Sequence, residues 1–352
     1  MTCKWVSSID DNVACNRCAD ESGYCIFHKE NKNIEESEIF INEIKNQKIS
    51  DFRGFIFNEK FVTKDVIDYK YKRLSFTEAQ FIKEAIFNDY EFKYDTDFNY
   101  TLFEEKVSFK RVTFYRNCSF KETKFVKENI GKKIFEKVKF KGQNLVVNNV
   151  ENLPRMDGIV FRNYSKFILT NIHYEKEDYL YGKINFKIAR IQAQKIGDHD
   201  RIGYYYYNER NYGSKIMKIT DYPNKREYLS AKFYDSLSRY AIGYGEKPWN
   251  ILIITILIIS IFALLYMLTG LMTSSGDYIG INLSNISKYS ISEIINIYVN
   301  LWYFSMITFA TVGYGDMIVI NTMGKILVCI EVFFGVTLAA TWASVIIKRM
   351  IR

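Results

Sequence analysis

Phe76-Thr77-Glu78-Ala79-Gln80-Phe81-Ile82-Lys83-Glu84-Ala85-Ile86-Phe87 opens a stretch, ending at Phe125, in which phenylalanine returns in alternating steps of five and six residues. The positions are Phe76, Phe81, Phe87, Phe92, Phe98, Phe103, Phe109, Phe114, Phe120 and Phe125, so each pair of steps advances eleven residues. An eleven-residue period can be helical and then drives a right-handed supercoil. At about 100° per residue, however, a five-residue step turns about 140° and puts the rings on different faces of a helix. A long flat strand fails too, because a five-residue step reverses side-chain direction and a six-residue step does not. What remains is a chain that turns a corner about every five residues and points each ring into a stacked core.

Two residues before most of these rings stands a small side chain: Ala79, Ala85, Thr96, Thr101, Cys118 or Thr123, with Tyr90, Val107 and Val112 departing. The pattern resembles pentapeptide-repeat proteins. That resemblance implies a square, right-handed β-solenoid with an apolar residue centred on each face, and makes Cys118 a small core-side residue. The regular extra residue departs from the family pattern and implies bulged coils. Looser continuations at Phe55 and Phe61, and at Phe135, Phe140, Leu145 and Val150, extend the solenoid over 50–158, with Pro154 and Gly158 marking its end. Mimicry of DNA would need an acidic surface, whereas residues 51–150 hold 20 Lys or Arg against 15 Asp or Glu. No nucleic-acid role is therefore expected, and the solenoid reads as a scaffold whose faces suit protein contact.

Toward the N-terminus, four of the six cysteines, Cys3, Cys15, Cys18 and Cys25, crowd into 25 residues. In a reducing compartment that reads as metal ligation before disulfides. Cys15-x-x-Cys18 and Cys25-x-x-His28 are two chelating pairs able to wrap one tetrahedral Zn²⁺. The stretch Gly23-Tyr24-Cys25-Ile26-Phe27-His28 also resembles the zinc knuckle that precedes pentapeptide repeats in bacterial proteins, and that resemblance implies Cys3, Cys15, Cys25 and His28, leaving Cys18 spare. Both ligand sets stand at this point for the segment 1–32. A closed four-ligand site would be structural, not catalytic, and no enzymatic constellation is expected. Met1-Thr2-Cys3-Lys4-Trp5 begins no apolar run, so no secretory signal is expected.

Beyond the repeats lies a tyrosine-rich, charged connector, 159–247. Ile184, Ile188, Ile191 and Ile196 recur at helical spacing and predict a helix over 183–197 stopped by Gly197. A second helix is predicted over 227–241, with Leu229, Phe233, Leu237 and Tyr240 on one face. Gly197-Asp198, Tyr206-Tyr207-Asn208-Glu209-Arg210 and Gly243-Tyr244-Gly245-Glu246-Lys247-Pro248 are similar to the linker of pentapeptide-repeat ion channels. His199 and Tyr204 to Tyr207 read as packing and interface groups.

The remaining residues, 248–352, carry two spans. Residues 249–272 hold no charge over 24 positions, enough at about 1.5 Å per residue to cross a core of about 30 Å, and 326–347 form the second span. Between them, 298–310 is uncharged and aromatic, suited to a pore helix, and leads into Thr311-Val312-Gly313-Tyr314-Gly315-Asp316. With Thr308 this completes the Thr-x-x-Thr-Val-Gly-Tyr-Gly-Asp form and resembles the selectivity filter of potassium channels. The resemblance implies backbone carbonyls that replace the water shell of K⁺ and a homotetramer that closes the ring. Gly313 and Gly315 permit the positive φ such a backbone needs. Asp316 would concentrate cations at the outer mouth, and pore-helix C-termini would favour a cation in the cavity.

Gly335 takes the position of a gating-hinge glycine, with close helix packing as the competing reading. Glu331, an acid inside a span, is a functional candidate by default, against the plainer reading of a protonated, hydrogen-bonded side chain. Cys329 has no partner in the sequence.

Basic residues Arg239, Lys247, Lys348, Arg349 and Arg352 flank the spans, while the intervening loop has only Asp277, Lys288 and Glu293. Both termini are thus expected in the cytoplasm and the protein in the plasma membrane, in contact with the lipid bilayer. The net charge of +8 suits a cytosolic part near an anionic leaflet. Neither span carries arginine at every third position, so no voltage sensor is expected. The chain ends five residues past the second span, so regulation, by an unidentified cytosolic regulator, is expected through the N-terminal part.

The whole reads as a multi-domain bacterial chain: a cytosolic right-handed β-solenoid, a helical connector and an all-α two-span potassium-channel pore module. It resembles the pentapeptide-repeat ion channels nearly throughout. A less selective cation channel and a membrane-tethered scaffold are the competing readings. Tethering needs no filter.

Overall fold

The computed structural model describes all residues but 68–72, 127–128, 130–132, 282–288 and 352, so Lys288 and Arg352 lie outside the described residues. The chain forms two units, Met1–Tyr222 and Pro223–Arg352.

In the first unit the phenylalanine repeat is a right-handed β-solenoid. Gln80 pairs with Leu102 and Leu102 with Lys124, so one coil takes 22 residues. Four parallel sheets form its sides. The two-residue sides are joined by corners that alternate between four residues, as at 76–79, and three, as at 82–84. Each four-residue corner is a turn closed by a bond such as Ala79 N–H to Phe76 O, 3.0 Å, with its third residue left-handed. Glu78, Asp89, Tyr100, Arg111 and Glu122 take these places, with φ of 53–59°, as a type II turn requires. The alternation of five and six is therefore an alternation of two kinds of corner, and the extra residue sits there, not in bulged sides.

Inside, the rings stack in columns. Phe52, Phe76, Phe98 and Phe120 follow one another at 4.9–5.0 Å within 14° of parallel, and columns meet edge to face, as Phe87 does Phe98 at 89°. Both arrangements suit the ring quadrupole. The small positions do more than leave room. Thr101 and Thr123 donate their hydroxyls to Phe76 O and Phe98 O of the preceding coil, at 2.7 and 2.6 Å.

The solenoid continues beyond the end expected at 158. Ile159–Phe161 pairs with Val138–Phe140, and Lys166–Thr170 with Asn144–Asn148. Gly158 does not break the stack. A Cβ there would lie 1.7 Å from Phe135 O, so glycine is what lets one coil sit against the next.

Both ends of the stack are capped. The N-terminal segment and helix α1 (Ile34–Gln47), started by an Asn33–Glu36 capping box, cover the first coil, with Phe27 stacked on Phe55 at 4.6 Å. A short helix α2 (Thr63–Val66) interrupts an early coil. At the other end, α3 (Tyr179–Ile196) and α4 (His199–Lys215) form a hairpin over the last coil. Asn185 accepts from Met156 N and donates to Pro154 O, both 2.9 Å, and Tyr205 donates to Phe167 O at 3.1 Å. The buried face of α3 is Gly182, Asn185, Phe186, Ala189, Gln192 and Ala193. The isoleucine stripe is half-buried at Ile184, Ile188 and Ile196 and exposed at Ile191, because the solenoid end offers backbone carbonyls and the helix meets them with amides.

The second unit begins with α5 (Lys225–Ala241), whose Leu229, Phe233, Leu237 and Tyr240 are all exposed in one chain. After a turn at Gly243–Gly245 come α6 (Pro248–Thr269), α7 (Ile291–Phe309) and α8 (Thr322–Ile351). Helix α6 stops three residues before the expected 272, since Gly270 turns left-handed at φ 71° and Leu271–Thr273 becomes a strand. That strand lies between Tyr278–Ile279 and Met317–Val319 in an antiparallel sheet. Helix α7 starts seven residues before the expected 298, at a Ser290–Glu293 capping box. Asn321 starts α8, accepting from Gly324 N at 2.7 Å, and donates to Thr269 O at the end of α6.

Candidate functional site

Helix α7 packs against both α6 and α8, with Leu301 and Phe304 in a core shared with Phe262, Ala263 and Tyr266. Trp302 Nε1 donates to Ser260 at 3.2 Å. The helix ends at Ala310, whose N–H reaches Met306 O. The chain then winds back over this end: Thr311 N bonds to Thr308 O at 3.0 Å and Val312 N to Ile307 O at 2.9 Å. Thr311, Gly313 and Gly315 have φ of 58, 56 and 80°, while Val312 and Tyr314 are not in the left-handed region. Alternation of this kind turns successive peptide planes to one side. Thr311 to Gly315 are exposed in the single chain, and a Cβ on Gly313 or Gly315 would meet nothing within 4 Å. Their glycines thus answer to backbone conformation, not crowding. The carbonyl of Asp316 accepts from Ser274 N at 2.9 Å, beside the three-stranded sheet.

Behind this loop, Glu331 of α8 is fully buried. Tyr266 of α6 donates to its Oε2 at 2.7 Å, and Ser305 of α7 hydrogen-bonds to its Oε1. One turn further, Gly335 faces Phe309: a Cβ there would lie 2.0 Å from Phe309 O. Among the two readings of this glycine, the contact is one of close packing. Cys329 is exposed. Sequence reading missed Tyr266 and Ser305, and the only available signal was a hydroxyl on an otherwise apolar face in each case.

At the basic-flanked end of the spans, Lys348 Nζ lies 3.0 Å from Glu246 Oε1, joining the last turns of α8 to the Gly243–Gly245 turn that leads into α6. Tyr244, at φ 56°, bonds to Asp235 of α5 at 3.2 Å.

In the first unit, Cys3, Cys15, Cys25 and His28 converge, all buried, with their ligand atoms within 4.8 Å of one another. Cys18 is exposed and outside this group, so the Cys15-x-x-Cys18 pair does not form one chelate. Residue 18 bridges back to Thr2. Cys15 Sγ lies 3.8 Å from Cys25 Sγ, and His28 Nδ1 lies 3.2 Å from Cys25 Sγ and 3.7 Å from Cys3 Sγ. Tetrahedral Zn²⁺ with bonds of about 2.3 Å to sulfur puts two sulfurs about 3.8 Å apart, so the residues fit this metal. His28 Nε2 lies 3.1 Å from Arg53 O, which can only accept, so Nε2 carries the proton and Nδ1 turns its lone pair to the thiols. Burial pushes His28 down to about 4, keeping it neutral, and pushes Cys25 up to about 12, with Cys15 adding to it. Burial works to raise Cys3 as well, but the N–H groups of Cys25 and Trp5 leave it below its ordinary value. A divalent cation would relieve the crowding of thiolates. Trp5 stacks on His28 at 4.4 Å, and only glycine fits beneath it, since a Cβ on Gly54 would lie 2.3 Å from the indole.

No curated protein and no solved structure matches the chain. Residues 253–352, which take in most of α6 with α7, the Thr311-to-Asp316 loop and α8, match the family described as ion channel, and the C-terminal part of this membrane protein is accordingly an ion-channel domain.

Proposed function

We propose that the protein is a potassium-selective channel in which four copies bring Thr311 to Asp316 together around one axis. The observation that carries this is the Thr-Val-Gly-Tyr-Gly-Asp backbone at the C-terminus of α7, with positive φ at Thr311, Gly313 and Gly315. Carbonyls turned to one side can replace the hydration shell of K⁺, and a single chain supplies only a quarter of such a ring. Thr308 sits one turn before the loop and helps hold it through its carbonyl. The exposed apolar faces of α6 and α8 suit lipid and neighbouring copies. Basic flanks at Arg239, Lys247, Lys348 and Arg349 orient both termini to the cytoplasm of the cell membrane.

Zn²⁺ held by Cys3, Cys15, Cys25 and His28 would be structural, fixing the cap of the solenoid, because four protein ligands leave no open position. Regulation enters from the N-terminal part through α5 and the Gly243–Gly245 turn, whose neighbour Glu246 touches the end of α8. Purified full-length protein in liposomes under a K⁺ gradient tests the reading. Flux with a reversal potential that follows K⁺ and is indifferent to Na⁺ is expected. Equal permeability to both would make it a less selective cation channel, and no flux at all would favour a tethered scaffold.

A further inference from the structure

Glu331 has an arrangement of hydrogen bonds that can be counted. Tyr266 donates its single proton to Oε2 at 2.7 Å. Ser305 Oγ touches both Oε1 of Glu331 and, at 3.0 Å, the carbonyl oxygen of Ile259 in α6. A carbonyl can only accept, and a serine has one proton to give. With Glu331 ionised, three acceptor contacts share two protons, and one oxygen pair is left facing without any. With Glu331 protonated, the acid donates to Ser305, Ser305 donates to Ile259 O, and Tyr266 donates to the remaining oxygen. Every contact is then filled.

The surroundings point the same way. Helix α6 contains no charged residue, α7 only Glu293 in its first turn, and on α8 the cations are Lys325, six residues before Glu331, and Lys348 and Arg349 near the other end. Among the described residues, Tyr266 is the titratable group in contact with it, and Cys329 lies two positions away on its own helix. A carboxylate buried at membrane depth without a cation is strongly disfavoured.

Resting on the channel reading of the preceding section, we propose that Glu331 is a neutral carboxylic acid and a positioning residue for the pore loop. It joins α6, α7 and α8 through one proton relay. Glu331 and Gly335, one turn apart on α8, meet Ser305 and Phe309, one turn apart on α7. Phe309 is two residues from Thr311, so this seam sets where the loop stands. Glu331 itself touches no ion.

The test uses full-length protein in liposomes at neutral pH. The infrared difference between wild type and Glu331→Gln should contain the C=O stretch of a protonated carboxyl, and carboxylate bands in its place would overturn the proposal. Ser305→Ala, which removes the acceptor, should shift that stretch, and an unmoved band would break the relay. An amide can donate to Ser305 and accept from Tyr266, so Glu331→Gln should keep K⁺ over Na⁺ selectivity within about twofold. Glu331→Leu, which can neither donate nor accept, should lose that selectivity, and a folded Leu variant that keeps it overturns the positioning role. Wild type that carries no K⁺ would sink the channel reading instead, and the infrared bands would still decide the state of Glu331.

Discussion

Cys25 lies within 3.8 Å of both Cys15 and His28, so its thiol is central to the N-terminal group. Elemental analysis should find about one zinc per chain in wild type and in Cys18→Ser, and little in Cys25→Ser. Zinc retained by Cys25→Ser, or lost with Cys18, would contradict the assignment. Spacing alone pointed to Cys15, Cys18, Cys25 and His28, because both pairs have chelating intervals, whereas the zinc-knuckle resemblance put Cys3 in place of Cys18. The backbone decided by turning Cys18 outward and bringing Cys3 in. Gly335 is the second residue of this kind. Alanine would gain about 1 kcal/mol of helix propensity, but its Cβ would need the room occupied by Phe309 O, 2.0 Å away. Gly335→Ala is expected to reduce K⁺ flux and weaken assembly, measured by liposome flux and size-exclusion chromatography, and a fully active variant would argue for a hinge free of that contact.

Among the elements, the ring columns carry the solenoid. Phe98 is fully buried, stacked between Phe76 and Phe120 and edge-on to Phe87, Phe92 and Phe109. Phe98→Ala should cost about 3–5 kcal/mol, read as a lower denaturation midpoint of the solenoid transition. The opposite change is available in α4. Gly213 lies within the helix with nothing nearer to an added Cβ than the Lys183 side chain at 3.8 Å. Gly213→Ala should stabilise by up to about 1 kcal/mol, and a destabilised variant would show that the hairpin needs its glycine. The repeat itself was plain in the sequence, since side chains of one kind recur at fixed intervals. The end of the solenoid was not. Pro154 and Gly158 look like breakers, and only the 1.7 Å approach to Phe135 O reveals Gly158 as a packing requirement.

For the molecule as a whole, the proposed route from the N-terminal part to the pore is the matter to test. Glu246 and Lys348 tie the entry of α6 to the end of α8, both inside the second unit. Their side chains are 7% and 43% exposed, so the pair should be worth no more than about 1 kcal/mol. Glu246→Lys and Lys348→Glu should each change open probability up to about fivefold, with the double exchange restoring it. Additive effects in single-channel recordings would remove the pair from gating. The exposed face of α5, Leu229 to Tyr240, remains solvent-facing in one copy, as the outer surfaces of α6 and α8 do.

The sequence by itself determined the periodic and local features: a chain that turns a corner about every five residues from its phenylalanine steps, two spans from apolar length, and a loop whose glycines allow alternating φ. These need only neighbours along the chain. Tertiary structure alone decided which cysteines meet His28, which face of α3 covers the solenoid end, and that Tyr266 and Ser305 close on Glu331. The contacts of Cys3 with His28, of Asn185 with Met156, and of Ser305 and Tyr266 with Glu331 join residues 25 to 65 positions apart, and a hydroxyl or thiol carries no mark in the sequence of the partner that folding brings to it.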